Sequence, residues 1–245
     1  MAHLAHYKEA HPTVFRMTHW INLVAMVLLI LSGIYIHFPA FDGWMGIARG
    51  IHIFSGFIFL INLIVRIVLA FVVKSAPAGG TREVETDWRS WFPQKHNRHQ
   101  LGAWIRYYLF FKKDHPLGGK YGVPQKLAYL ALIPCMLFMA YTGFCLWGTT
   151  MYIPFFAGFT TAVGGLMKVR VIHYFMMFFF ICFMMLHGYL ALIEGTEPAK
   201  IMFFGKEHGG LTYDLETMNI SGADLMLPAD EVVEEVVEEV EEEVA

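Results

Sequence analysis

Four long apolar runs, separated by polar segments and rimmed by glycine and proline, set the pattern of this chain: Trp20–Phe38, Ile51–Val73, Leu127–Trp147 and Val169–Ile193. A hydrocarbon core takes roughly 20 apolar residues of helix to cross. The runs therefore predict an all-α membrane protein, a four-transmembrane-helix bundle. Residues 1–210 are expected to form this membrane domain. In the remaining 211–245, valines interrupt eight glutamates after Asp230, a pattern expected to stay disordered rather than fold as one amphipathic helix.

Composition supports the membrane class, with 56% hydrophobic and 16% charged residues. The stretch up to Phe15 carries three histidines, Lys8 and Glu9. It lacks the apolar core and small-residue cleavage site of a signal peptide, so the first span is expected to be retained. Between spans two and three lie nine basic residues: Lys74, Arg82, Arg89, Lys95, Arg98, Arg106, Lys112, Lys113 and Lys120. Short loops rich in Lys and Arg stay inside. This predicts a multi-pass protein of a prokaryotic cytoplasmic membrane with both termini and the central loop cytoplasmic, while 39–50 and 148–168 face outward.

Four histidines, His19, His52, His173 and His187, stand at the ends of the spans. A ring nitrogen at membrane depth is costly and usually functional. Fourteen residues separate His173 from His187, which is about 21 Å along a helix and within about 40° of whole turns, so both rings leave one face at two depths. Matching depths across the spans pairs His19 with His187 near the inner surface and His52 with His173 near the outer. Two stacked haem b groups, each bound through both axial positions, would consume all four rings, with the first pair on the inner iron and the second on the outer. His37 is a rival to His52, five whole turns beyond His19, but its place beside Pro39 at the rim favours hydration. His3, His6, His11, His96, His99, His115 and His208 read as solvent-facing.

Arg16, Arg66 and Arg170 are candidates for pairing with haem propionates, since a guanidinium matches a carboxylate bidentately. Arg66 could equally snorkel to the surface, and Arg16 could be a positive-inside anchor. Ser32-Gly33, Ser55-Gly56, Thr142-Gly143 and Gly188 sit within spans. They serve either close helix packing or the approach of a flat macrocycle. Cys135, Cys145 and Cys182 form no Cys-x-x-Cys and read as apolar fillers. The aromatic and basic stretch Gln100–Phe111, with Trp104, Tyr107 and Tyr108, suits the headgroup level and could cover a quinone entrance.

Arg16-Met17-Thr18-His19-Trp20-Ile21, followed by Val24-Ala25-Met26 and Leu31-Ser32-Gly33, resembles the first signature of the b-type cytochrome subunits of membrane-bound nickel-iron hydrogenases. The His173–His187 spacing, with Phe183 four residues before the second histidine, resembles the other signature in part: Val171, Ile172, Tyr174 and Phe178 depart from it. The resemblance covers roughly residues 10 to 210 and extends to the cytochrome subunits of formate dehydrogenases and thiosulfate reductases. It implies a di-haem membrane anchor that passes electrons between an outward-facing iron–sulfur subunit and the quinone pool. The implied partners are hydrogenase small and large subunits, membrane lipid, and menaquinone or ubiquinone, with no nucleic acid. Hydrogen activation would belong to the partners, because the chain has no cysteine cluster of its own. The equivalent anchor of a formate dehydrogenase or of a thiosulfate or polysulfide reductase is the alternative. A histidine-based transporter or sensor is a third reading, for which the spans offer no Asp or Glu before Glu194.

Overall fold

The computed structural model describes residues 2–5, 12–75, 85–93, 98–112, 115–116, 122–193, 202–204, 211–214 and 219–220. The acidic tail after residue 220, and His6, His11, His96 and His208, lie outside the described residues. Six helices are described in these segments outside the short turns: α1 Thr13–His37, α2 Met45–Val72, α3 Leu101–Tyr108, α4 Val123–Leu146, α5 Pro154–Ala162 and α6 Leu166–Ile193. Four of them, α1, α2, α4 and α6, are long and apolar enough to span a membrane. All four predicted spans are thus present. The helices begin earlier than the apolar runs, at Thr13 rather than Trp20 for α1, because polar residues at headgroup depth are as free to be helical as those in the hydrocarbon.

The chain divides into two compact units, one of residues 14–68 and 131–193, the other of 1–13, 69–130 and 194–245. The first is wholly helical among its described elements. Its core joins Ala25 of α1, Phe59 and Leu63 of α2, Met136 of α4 and Phe180 of α6, with Met26, Leu29, Ile133 and Met176 packed around them. Most of the remaining apolar surface faces outward; on α1 alone Val14, Met17, Val24 and Leu31 are exposed. Hydrocarbon is the natural solvent for such a surface. In α4, Pro134 lies within the helix without ending it, as bundles in lipid tolerate.

The segment 148–168 holds a feature beyond a simple connection. Ile153 is extended and Pro154 opens α5, the position where proline's missing N–H costs nothing. Gly164 and Gly165 take φ of +94° and +106°, which stops α5 and lets α6 begin at once, as glycine alone does cheaply.

Polar groups tie α1 to α2 one turn from His19. The Asn62 amide donates to the Thr18 carbonyl and to Asn22 Oδ1, both at 2.7 Å. Interhelical bonds of this kind contribute about 0.6–1.7 kcal/mol in membranes. Asn62→Leu is expected to lower stability by about that amount, read as an earlier unfolding transition in detergent with the haem content unchanged.

The second unit packs aromatic residues. The Trp91 indole donates to Asp87 Oδ2 at 3.1 Å, and its ring stacks on Tyr129 with centroids 5.5 Å apart. Within α3, Trp104 is 2% exposed and lies so close to Gly122 that an added Cβ would stand 2.7 Å from its ring. Trp104 is therefore packed inside this unit, while Tyr107 and Tyr108 are half-buried. Short antiparallel strands complete this unit, pairing Ala2–Ala5 with Leu211–Asp214 and Lys74–Ser75 with Glu85–Thr86.

Candidate metal centres: two histidine pairs

The four span histidines meet in the two predicted pairs. His19, in the second turn of α1, faces His187 near the end of α6, with ring centroids 6.2 Å apart and planes inclined 54°. His52, in the second turn of α2, faces His173 near the start of α6 at the same 6.2 Å, inclined 65°. A metal–imidazole bond of about 2.0–2.1 Å, with about 1.1 Å from that nitrogen to the ring centre, gives about 6.2 Å across two imidazoles on opposite sides of one metal. Two rings sharing a direct N–H···N bond would stand about an ångström closer. Each pair thus has the spacing of a single-atom sandwich.

Second contacts fix how the rings of one pair present themselves. Ser32 Oγ of α1 lies 2.9 Å from His52 Nδ1 and 2.6 Å from the Leu28 carbonyl oxygen. The hydroxyl has one proton and the carbonyl can only accept, so Ser32 donates to Leu28 and accepts the Nδ1–H of His52. Nε2 then carries the lone pair. Thr142 of α4 repeats the arrangement: its Oγ1 is 2.9 Å from the Met139 carbonyl oxygen and 2.8 Å from His173 Nδ1. Both hydroxyls thus leave the Nε2 atoms as ligands, the tautomer a metal requires.

The residue after each hydroxyl is a glycine set against the same ring. A Cβ at Gly33 would stand 3.3 Å from His52 Cε1, and one at Gly143 would stand 3.5 Å from His173 Cε1. Gly56 meets only Leu29, at 3.8 Å. The question left open for the span glycines therefore divides: Gly33 and Gly143 border the histidine pair, and Gly56 serves packing.

Aromatic rings flank the other pair. The His187 ring lies parallel to Phe183 at 5.9 Å, and the His19 ring meets Trp20 edge-on at 5.2 Å. His19 Nδ1 is buried without a hydrogen-bond partner. His37 is exposed and stacks on Tyr174 at 4.1 Å. It joins neither pair.

Of the three arginines singled out, Arg66 turns inward, its guanidinium 4.2 Å from the centre of the Phe15 ring of α1. Arg16 is half-buried and Arg170 exposed. The hydroxyls of Ser32 and Thr142 are the site residues that sequence reasoning did not identify as such; the available signal was a hydroxyl–glycine pair repeated in three spans, two of which reach a histidine.

No cluster of three or more His, Cys, Asp or Glu able to hold a metal ion occurs among the described residues. Two imidazoles per centre fit a group that brings its own equatorial donors, as a haem macrocycle does, better than a bare ion that needs four protein ligands. The matched spacings and the Nε2 lone pairs of His52 and His173 accommodate haem.

Residues 10–205 match the family described as "Prokaryotic cytochrome b561". Over 78% of its length, the chain is 28% identical to a probable Ni/Fe-hydrogenase 1 B-type cytochrome subunit of Escherichia coli, covering 84% of that protein. Over 73% of its length it is 27% identical to a probable Ni/Fe-hydrogenase B-type cytochrome subunit of Azotobacter vinelandii, covering 78% of it. A protein of Azospira oryzae named as the protein-methionine-sulfoxide reductase subunit YedZ1 is 27% identical and covered over 94% of its length.

Proposed function

Because the chain belongs to the prokaryotic cytochrome b561 family of multi-pass membrane proteins, we propose that it is a di-haem electron-transfer subunit joining a nickel-iron hydrogenase to the quinone pool. The observation that carries this reading is the pair of matched bis-histidine spacings, one at each end of α6. His173 and His187 set two centres about 21 Å apart along the helix, enough to relay an electron across most of a hydrocarbon core of about 30 Å.

Haem b, when bound, supplies reversible one-electron exchange. The protein's part is to keep that exchange closed to other chemistry. With His19 and His187 holding one haem and His52 and His173 the other, oxygen and substrates would find no open coordination site. Four helices orient the rings, and the Ala25–Phe59–Phe180 layer keeps water from the space between the two levels. Arg66, directed inward at Phe15, would pair with a propionate of the group held by His19 and His187. The excess of basic residues in the 74–125 segment puts that pair at the cytoplasmic side and His52–His173 at the outer side, where an iron–sulfur subunit would dock. Quinone reduction then falls to the inner level.

A second reading rests on the similarity to the reductase subunit of Azospira oryzae, which spans nearly all of that protein. In it electrons leave quinol and flow outward to a reductase. Isolated membranes separate the two. Hydrogen should reduce the haems of this chain if its partner is a hydrogenase, whereas methionine sulfoxide should reoxidise quinol-reduced haems under the second reading.

The test of the haem assignment is a reduced-minus-oxidised visible spectrum of the purified chain with a pyridine haemochrome assay. About two haem b per chain are expected from bis-histidine ligation by two pairs. A well-folded preparation with none overturns the proposal.

A further inference from the structure

Both rings of the His52–His173 pair are held at Nδ1 by a hydroxyl of a neighbouring helix. We infer that Ser32 and Thr142 are positioning residues that lower the potential of the haem held between His52 and His173. The inference rests on the di-haem reading above.

Both ligands of the first pair give Nδ1–H to a hydroxyl, at 2.9 Å for Ser32 and 2.8 Å for Thr142. An imidazole that donates its second proton to an acceptor becomes a stronger electron donor through Nε2. Each hydroxyl in turn donates to a backbone carbonyl, Leu28 at 2.6 Å and Met139 at 2.9 Å. Such chains polarise one another, which makes the oxygen a better acceptor than an isolated hydroxyl. Greater donation stabilises ferric over ferrous iron and lowers the potential.

Gly33 and Gly143 show that these contacts are built for the rings. Each follows its hydroxyl directly and leaves room for the imidazole that the hydroxyl holds, with His52 Cε1 and His173 Cε1 at 3.3 and 3.5 Å from the missing Cβ. Ser55-Gly56 has the same dipeptide but reaches no histidine; Gly56 meets Leu29 instead.

The experiment is a redox titration of the purified two-haem chain, followed in the visible spectrum and by low-spin ferric electron paramagnetic resonance, in the unaltered protein, Ser32→Ala, Thr142→Val, the double variant and Thr142→Ser. The redox step lost in His52→Ala identifies the haem held between His52 and His173. Ser32→Ala and Thr142→Val should each raise that step, the double variant should raise it further, and its resonance should shift. Thr142→Ser should restore it, and the other step should stay in place throughout. That step unmoved in Ser32→Ala and Thr142→Val with both haems retained overturns the inference, as does an equal shift of the other step. Failure of the di-haem reading would show earlier and differently, as fewer than two haems in the unaltered chain.

Discussion

His173→Ala is expected to leave the chain with about half its haem, and His187→Ala with the other half. On the proposed ligation each substitution would remove one imidazole from a pair whose partner ring stands 6.2 Å away, leaving His52 or His19 as a sole ligand. A bis-histidine site that loses one imidazole loses an iron bond and one wall of the sandwich together, so the remaining contacts must hold the macrocycle by packing alone. The two variants differ in which haem survives. His173→Ala retains the haem held by His19 and His187, His187→Ala retains the other, and the survivors carry different redox steps and resonances. Because the histidines share one helix about 21 Å apart, neither substitution reaches the other centre directly. Haemochrome assay of the purified variants checks this. Equal haem in both variants and the unaltered chain removes these residues from the ligand set.

The pairing was legible in the sequence because it depends only on helical periodicity and on the order of spans, both of which apolar patterning exposes. His37 illustrates the limit of that reasoning. It lies on the same face of α1 as His19, so periodicity alone kept it as a rival to His52; the packing of its ring on Tyr174 takes it out of both pairs. Helix α5 was not legible, since a nine-residue apolar helix between two spans gives too short a pattern to rise above an outward-facing connection. Its signals, Ile153-Pro154 before and Gly164-Gly165 after, become decisive only once the backbone shows them as a start and a stop. The Ser32 hydroxyl was hidden for another reason. It serves a histidine twenty residues away on another helix, and nothing in the sequence separates it from Ser55, which has the same glycine after it. The close approach of Gly122 to the Trp104 ring was equally out of reach, being a tertiary fact.

Gly33→Val is expected to reduce the haem content to about one per chain, with the haem between His52 and His173 the one lost. An added Cβ at residue 33 already stands 3.3 Å from His52 Cε1 and 3.7 Å from its Nδ1. The branched methyls of valine extend beyond that point, so the ring must swing away from its Ser32 bond and out of line with His173. Gly33→Ala should need only a few tenths of an ångström and keep both haems, with a shifted low-spin resonance. Alanine exceeds glycine by about 0.8–1.0 kcal/mol in helix propensity, so any loss on substitution at 33 runs against the local preference of α1. Gly56→Ala supplies the comparison. Its Cβ would meet Leu29 at 3.8 Å, an ordinary contact, and full haem with unchanged or improved thermal stability is expected. Gly143→Ala, at 3.5 Å from His173 Cε1, should also keep both haems. A general packing role for the span glycines would make the valine and alanine series fall together in stability at residues 33 and 56. Loss of one haem at residue 33 alone, with the bundle otherwise intact, marks that glycine as room made for a ligand ring. Full haem in Gly33→Val, with His52 still paired, would show that the ring has slack that the 3.3 Å approach does not allow.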